Sequence, residues 1–110
     1  WNDPLIAPLT SVNYYNGVVD TVGTAKADAS YRLFMVPAMN HCSGGDGTDT
    51  WDKVRVLGQW VETGKAPDQI TAAHLTKGTV DRTRPLCAFP KVATYKGSGS
   101  INDAGNFVCK

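Results

Sequence analysis

No stretch of this chain is long and apolar enough to span a bilayer as a helix: that takes roughly 20 consecutive apolar residues, and no window comes near it. A membrane is not an expected partner. Charge of one sign is missing too. Eleven basic against ten acidic residues give a net +1, with neither sign clustered, so the basic footprint of a nucleic-acid binder is absent. Cysteine is scarce, three among 110 residues with no C-x-x-C pair. His41 stands directly beside Cys42, too close for the usual ligand spacing, which leaves a zinc site poorly supported. There is no internal repeat. The opening Trp1-Asn2-Asp3-Pro4 carries no initiator methionine, basic n-region or apolar h-region; no signal peptide is visible, and the expectation is a start further upstream. A domain of this length is able to fold alone, but the elements read below fall short of a complete set, so a segment of a larger domain is expected.

What is present gathers around residues 31–47, YRLFMVPAMNHCSGGDG. Residues 31–36 are apolar at nearly every position, the pattern of a strand buried on both faces of a parallel sheet. Pro37 ends it. Residues 38–50 are poor in helix formers and hold Gly44, Gly45 and Gly47, so they read as a shaped loop at a strand's carboxyl end, where open α/β sheets keep their chemistry. That loop carries His41.

On either side lie two amphipathic stretches. Thr10 or Ser11 is the expected N-cap of a helix running to Val22, with Val12, Tyr15, Val18, Val19 and Val22 as its apolar stripe and Gly23 as its stop. Residues 24–30, TAKADAS, read as a polar connector. Asp49 or Thr50 is expected to cap a second helix over 51–63, with Asp52 in its first turn, Val54, Leu57, Trp60 and Val61 on one face, and Gly64 and Pro67 ending it. A short strand is expected over 70–75, a turn-rich segment over 77–90, a further strand over 91–95 and a mostly irregular tail tied down by Cys109. Cys87 and Cys109 enclose that tail. Pairing them would stabilise by about 3 kcal/mol in the chain-entropy picture and would suit a secreted or periplasmic protein. Cys42 is then left over, which suggests a partner outside this chain.

The order is an acid-bearing turn, a helix, a buried strand, a histidine-bearing loop and a helix, which suits the closing half of an α/β-hydrolase sheet. There the triad follows the chain order Ser, then Asp or Glu, then His. Asp3 and His41 fit the last two places: the histidine would take the nucleophile's proton, and the carboxylate would fix the imidazole tautomer. Each has a plainer reading. Asp-Pro is ordinarily a turn former, and a histidine is often structural. Ser43 has no G-x-S-x-G around it and follows the base, so it is not expected to be the nucleophile. His74 has no acid nearby in sequence, and a structural role is expected. Gly97-Ser98-Gly99 reads as a flexible loop, and Tyr15, Trp51 and Trp60 as core.

The runs NDPLI, FMVPAMNHC, WVETGKAPDQI and RTRPLCAFPKVATYKGSGSINDAGNFVC together resemble the C-terminal end of the tannase and feruloyl esterase family of secreted α/β-hydrolases, over nearly the whole chain. The resemblance implies an α/β fold: residues 1–110 as the C-terminal part of an α/β-hydrolase sheet, incomplete, with a disulfide-tied tail and without the nucleophile, oxyanion hole or lid. It implies that Asp3 is the triad acid and His41 the base. It further implies that Cys42 pairs with a cysteine directly before the nucleophilic serine, outside this chain, and that Cys87 pairs with Cys109. The implied activity is hydrolysis of aromatic esters, hydroxycinnamoyl or galloyl, through an acyl-enzyme, by a secreted or periplasmic protein. No cofactor is implied in this segment; the family's calcium belongs to the lid. The implied partners are a small aromatic ester and the remainder of the same protein. The sequence departs from the family at Ala38, Asn40 and Ser43, where glycine is common, and at Trp51, where phenylalanine is usual. The alternatives are an inactive α/β-hydrolase-like scaffold and a small disulfide-stapled extracellular binding module that would use Trp1, Trp51 and exposed tyrosines.

Overall fold

Ile70 and Ala72 point to one side of a strand, and that side anchors the structure. In the computed structural model, which describes residues 2–110, β1 (Gln69–Thr76) pairs antiparallel with β2 (Thr79–Cys87). Trp1, and with it any binding role for that ring, lies outside the described residues. The hairpin turns at Lys77-Gly78, both at positive φ, 51° and 80°. That is the requirement of a type I′ turn, whose twist matches that of the flanking strands. Much of the stretch expected to be turn-rich is therefore strand. Pro85 and the charges Asp81, Arg82 and Arg84 masked the strand pattern; β2 accommodates Pro85 because, in its two-stranded sheet, it is an edge.

Ile70 faces Leu86 across the ladder, and with Ala72 these form the buried cluster against which Phe34, Val36, Trp51 and Val56 pack. The extended segment 31–36 thus lies over the hairpin. It joins β2's end through one antiparallel bridge, Phe34 to Ala88, and a 2.8 Å bond from the Phe89 amide to the Leu33 carbonyl. The expectation of a strand buried on both faces is corrected here: all six residues are half-buried, and among the described residues no parallel strand pairs with them. Phe34 and Val36 rest on the hairpin, whereas on the other face Tyr31 stacks on Tyr15 of the first helix and the cover is only partial.

Three helices flank this layer. α1 (Pro8–Val22) begins at a proline, which suits a first helical turn because its missing N–H would be unpaired there anyway. Neither Thr10 nor Ser11 caps it; the N-cap is Ala7, which makes no side-chain bond. Of the predicted stripe, Tyr15 is buried, its ring stacked on Tyr31 and edge-on to Phe89, at 5.7 and 5.6 Å between centroids. Val22 is exposed. Gly23 ends α1, but the chain turns straight into α2 (Thr24–Ser30), where a connector was expected. Ala25, Ala27 and Ala29 explain the helix, since alanine is the strongest helix former, and Ala27 is fully buried.

α3 (Lys53–Thr63) is capped by Asp52, whose side chain accepts from the Arg55 amide at 2.9 Å, and is closed by Gly64 in the left-handed conformation. Neither Asp49 nor Thr50 is the cap. The inward face is also shifted: Val56 packs on the core and Trp60 is half-buried, whereas Val54, Leu57 and Val61 are 82%, 59% and 76% exposed. A helix apolar on both sides supplies two stripes, and the hairpin takes only one.

The tail is more ordered than expected. β3 (Ala93–Tyr95) pairs with β4 (Phe107–Cys109), which follows a 3-10 turn over Ala104–Asn106. The Gly97-Ser98-Gly99 loop is held by Tyr95, whose hydroxyl donates to the Gly99 carbonyl at 2.6 Å. Cys87 and Cys109 form a disulfide 22 residues apart. Replacing both by alanine is expected to lower stability by about 3 kcal/mol, read as a fall in the denaturant midpoint with a steeper slope, since the freed unfolded chain exposes more surface.

Candidate active site

Asp3 precedes Pro4, and the bond to proline keeps an aspartate out of the helical region. Its carboxylate is consequently free to fold back on the chain. One oxygen, Oδ1, accepts from the amides of Leu5 and Ile6 at 2.8 and 2.9 Å, the local turn that aspartate favours. The other, Oδ2, lies 2.9 Å from His41 Nδ1. Turn former and histidine partner are therefore the same residue, each role served by its own oxygen.

The amides fix the charge state of that carboxylate. Asp3 is lowered from the usual 3.8 to about 2, chiefly by the Ile6 amide, with Leu5 and His41 adding and partial removal from water opposing. An ionised carboxylate accepts only, so Nδ1 must be the donor and, in the neutral ring, Nε2 carries the lone pair. Among the described residues, Nε2 has no hydrogen-bond partner, and the imidazole is 43% exposed. The arrangement is an imidazole with its tautomer fixed and its Nε2 open to solvent.

Loop 38–47 holds His41 at the tip of a narrow turn. Met39 bridges Gly45, the Asn40 amide donates to the Gly44 carbonyl and the Gly47 amide to the Ala38 carbonyl, both at 2.9 Å. The turn is tight enough that a methyl group at Gly47 would lie 2.8 Å from Ala38 C and Met39 N and closer still to the Pro37 carbonyl. Ala38 and Cys42 themselves sit at positive φ, 59° and 66°. At Ala38 this explains why glycine would be the natural choice there; no such backbone demand exists at Asn40 or Ser43. Cys42 is exposed and unpaired within the chain. It shares with Asp3, Ile6, Met35, Met39 and Asn40 the lining of a cavity of about 160 Å³.

Sequence reasoning missed how this loop is fastened. Asp49, expected as a helix cap, instead accepts from the Gly44 amide at 2.7 Å and from the Thr50 hydroxyl at 3.0 Å, and the Arg82 guanidinium donates to the Asp46 carbonyl. No local motif announces a bond that reaches five residues back around a glycine loop. His74 also proves to have an acid. The ladder is irregular between His74 and Leu75, and there Asp81 meets His74 Nδ1 at 2.7 Å and the Thr76 hydroxyl at 2.6 Å. That pair staples the hairpin, as its expected structural role requires. Among the described residues no group of three or more His, Cys, Asp or Glu is arranged to hold a metal ion.

The chain belongs to the tannase and feruloyl esterase family, whose profile matches residues 1–110. It is 48% identical over 113 residues to the mono(2-hydroxyethyl) terephthalate hydrolase of Piscinibacter sakaiensis, a match covering 98% of this chain and 18% of that protein. Its structure superimposes on feruloyl esterase B from Aspergillus oryzae with a TM-score of 0.86 at 33% identity, over 98% of this chain and 25% of that one. The tannin acyl hydrolase of Aspergillus niger gives 0.70 at 25% identity, over 96% and 20%. The chain therefore spans a quarter or less of these relatives.

The split carboxylate makes a testable prediction. Because the folded value of Asp3 is the lower one, its contribution to stability is complete above the ordinary value of 3.8 and is lost as pH falls through about 2. A carbon-13 NMR titration should place the Asp3 midpoint near that lower value, and His41→Ala should restore only a small part of the shift, since the two amides remain. Full restoration to 3.8 would mean that the histidine, not the turn, holds the charge.

Proposed function

We propose that this chain is the C-terminal segment of an α/β-hydrolase catalytic domain that cleaves carboxylic esters, with His41 as general base, Asp3 as its acid partner and a serine nucleophile on a part of the protein outside these residues. The observation that carries the reading is the His41 Nδ1 to Asp3 Oδ2 bond at 2.9 Å with Nε2 left open. In this scheme the serine Oγ attacks the ester carbonyl while His41 Nε2 takes its proton, and the imidazolium that forms is stabilised by Asp3. His41 then returns the proton to the departing alkoxide. In the second half Nε2 takes a proton from water, which attacks the acyl-enzyme, and gives it back to the serine.

The exposed apolar side chains support a larger domain. Leu5 and Ile6 next to the acid, and Val54, Leu57 and Val61 on α3, are all exposed, as surfaces meant to be covered are. The Cys87–Cys109 bond supports an oxidising compartment, secreted or periplasmic, and in such a compartment exposed Cys42 pairs with a cysteine directly before the nucleophilic serine. The printed names of the relatives, feruloyl esterase, tannin acyl hydrolase and a terephthalate ester hydrolase, support an aromatic acyl group as the substrate class, hydroxycinnamoyl and galloyl esters included.

The coding sequence upstream of Trp1 should contain a G-C-S-x-G pentapeptide, which would supply both the nucleophile and the Cys42 partner. In the full-length protein His41→Ala should abolish ester hydrolysis, and Asp3→Asn should lower kcat by ~10⁴-fold, as in other hydrolytic triads where the tautomer is lost. The chain alone should be inactive. Near-normal turnover in His41→Ala would refute the assignment.

A further inference from the structure

The imidazole is held on one side by Asp3, but Asp3 belongs to a short exposed turn and is a weak reference point for a catalytic nitrogen. The firm reference is the hairpin. From it a continuous set of bonds runs to the loop tip. Ala73, next to fully buried Ala72, exchanges both main-chain bonds with Thr50, at 3.0 and 2.8 Å. The Thr50 hydroxyl donates to Asp49 Oδ1 at 3.0 Å, and Asp49 Oδ2 accepts from the Gly44 amide at 2.7 Å. Gly44 in turn accepts from Asn40, the residue before His41, at 2.9 Å.

Resting on the esterase reading above, we infer that Asp49 is a positioning residue for His41: its carboxylate ties the three-residue tip 41–43 to the hairpin, so that the imidazole meets its reaction partner in one place. The bond is not a cap, because α3 is capped by Asp52. It is not the usual local aspartate turn either, since it crosses the loop five residues back, from Asp49 to Gly44, beyond the two- to four-residue reach of such turns. The Gly44 amide is also the chief reason the Asp49 carboxyl is held below its usual range, so the carboxylate is charged when it makes this bond. Arg82 fastens the same loop from β2 through the Asp46 carbonyl, leaving the segment between Asn40 and Gly44 as the part whose placement depends on Asp49. A misplacement of about 1 Å at a reacting group, caused from outside the chemistry, is able to cost about 10²-fold in rate.

The test compares Asp49→Ala, Asp49→Asn and His41→Ala in the full-length protein. Asp49→Ala should lower kcat by about 10²-fold at nearly unchanged KM, the pattern of lost positioning rather than lost substrate binding. Asp49→Asn, whose amide oxygen still accepts from Gly44, should recover most of that loss. Hydrogen–deuterium exchange over 40–46 should quicken in Asp49→Ala and stay near wild type in Asp49→Asn. Wild-type kcat in a folded Asp49→Ala protein, or equal impairment of both variants, overturns the inference. Should Asp49→Ala fail to fold, an unprotected Gly44 amide in the wild-type protein overturns it on its own. Turnover that survives His41→Ala removes the esterase reading and this inference with it, whereas turnover lost in His41→Ala but intact in Asp49→Ala removes the inference alone.

Discussion

A single carboxylate does two jobs at the centre of this structure. Asp3 gives one oxygen to the amides of Leu5 and Ile6 and the other to the imidazole of His41. Had both oxygens gone to the backbone, the residue would be a turn; had both gone to the histidine, the exposed N-terminal turn would have nothing to shape it. The division also separates charge from contact. The amides keep the group ionised, and an ionised acceptor leaves the imidazole no choice of tautomer. Thirty-eight residues separate the partners, so the rest of the fold must bring them together.

The hairpin does that. Its buried face collects Phe34 and Val36 from the extended segment and Trp51 and Val56 from the other side of the loop, so both ends of residues 37–50 are fixed to one small core. Between them the loop closes on itself through Met39 and Gly45. The contacts at Gly47 are too close for any side chain. Rigid ends and a narrow turn present His41 without burying it, which is how loops on fixed scaffolds carry reactive groups.

How much of this was legible in the sequence depended on the range of the forces involved. The contact between Asp3 and His41 and the Cys87–Cys109 bond lie within reach of the sequence, because local chemistry or a characteristic run of residues marks each of them. The structure departs from expectation where long-range packing chooses between local options. TAKADAS has polar spacing and helix-forming alanines, and burial of Ala27 decided for helix. The stripe Val54, Leu57 and Val61 is as good a face as Val56 with Trp60, and only the position of the hairpin settles which one turns inward. Residues 31–36 read as doubly buried because they are apolar on both sides, while the cover they find among the described residues, the hairpin on one side and Tyr15 against Tyr31 on the other, leaves all six half-buried. The Asp49 to Gly44 bond was invisible, since nothing in the sequence distinguishes an aspartate that caps a helix from one that reaches across a loop.

Exposure of the pair bears on the proposed chemistry. With the imidazole 43% and the carboxylate 23% open to solvent, Asp3 and His41 meet in an environment closer to water than to a protein interior. An ion pair formed there gains little. A base whose conjugate acid must be stabilised as it forms works better where water is excluded and the partner charge is felt strongly. The surfaces that would exclude it are already apolar and already beside the site: Leu5 and Ile6 follow the acid in sequence, and Met35 and Met39 flank the cavity that Asp3 and Cys42 share. If the proposed nucleophile-bearing part seats on those residues, the same contact covers the apolar patch, joins Cys42 to its partner and lowers the dielectric around the Asp3–His41 bond. Burial, covalent tethering and activation of the base would then be one event, to which this chain would contribute the exposed pair.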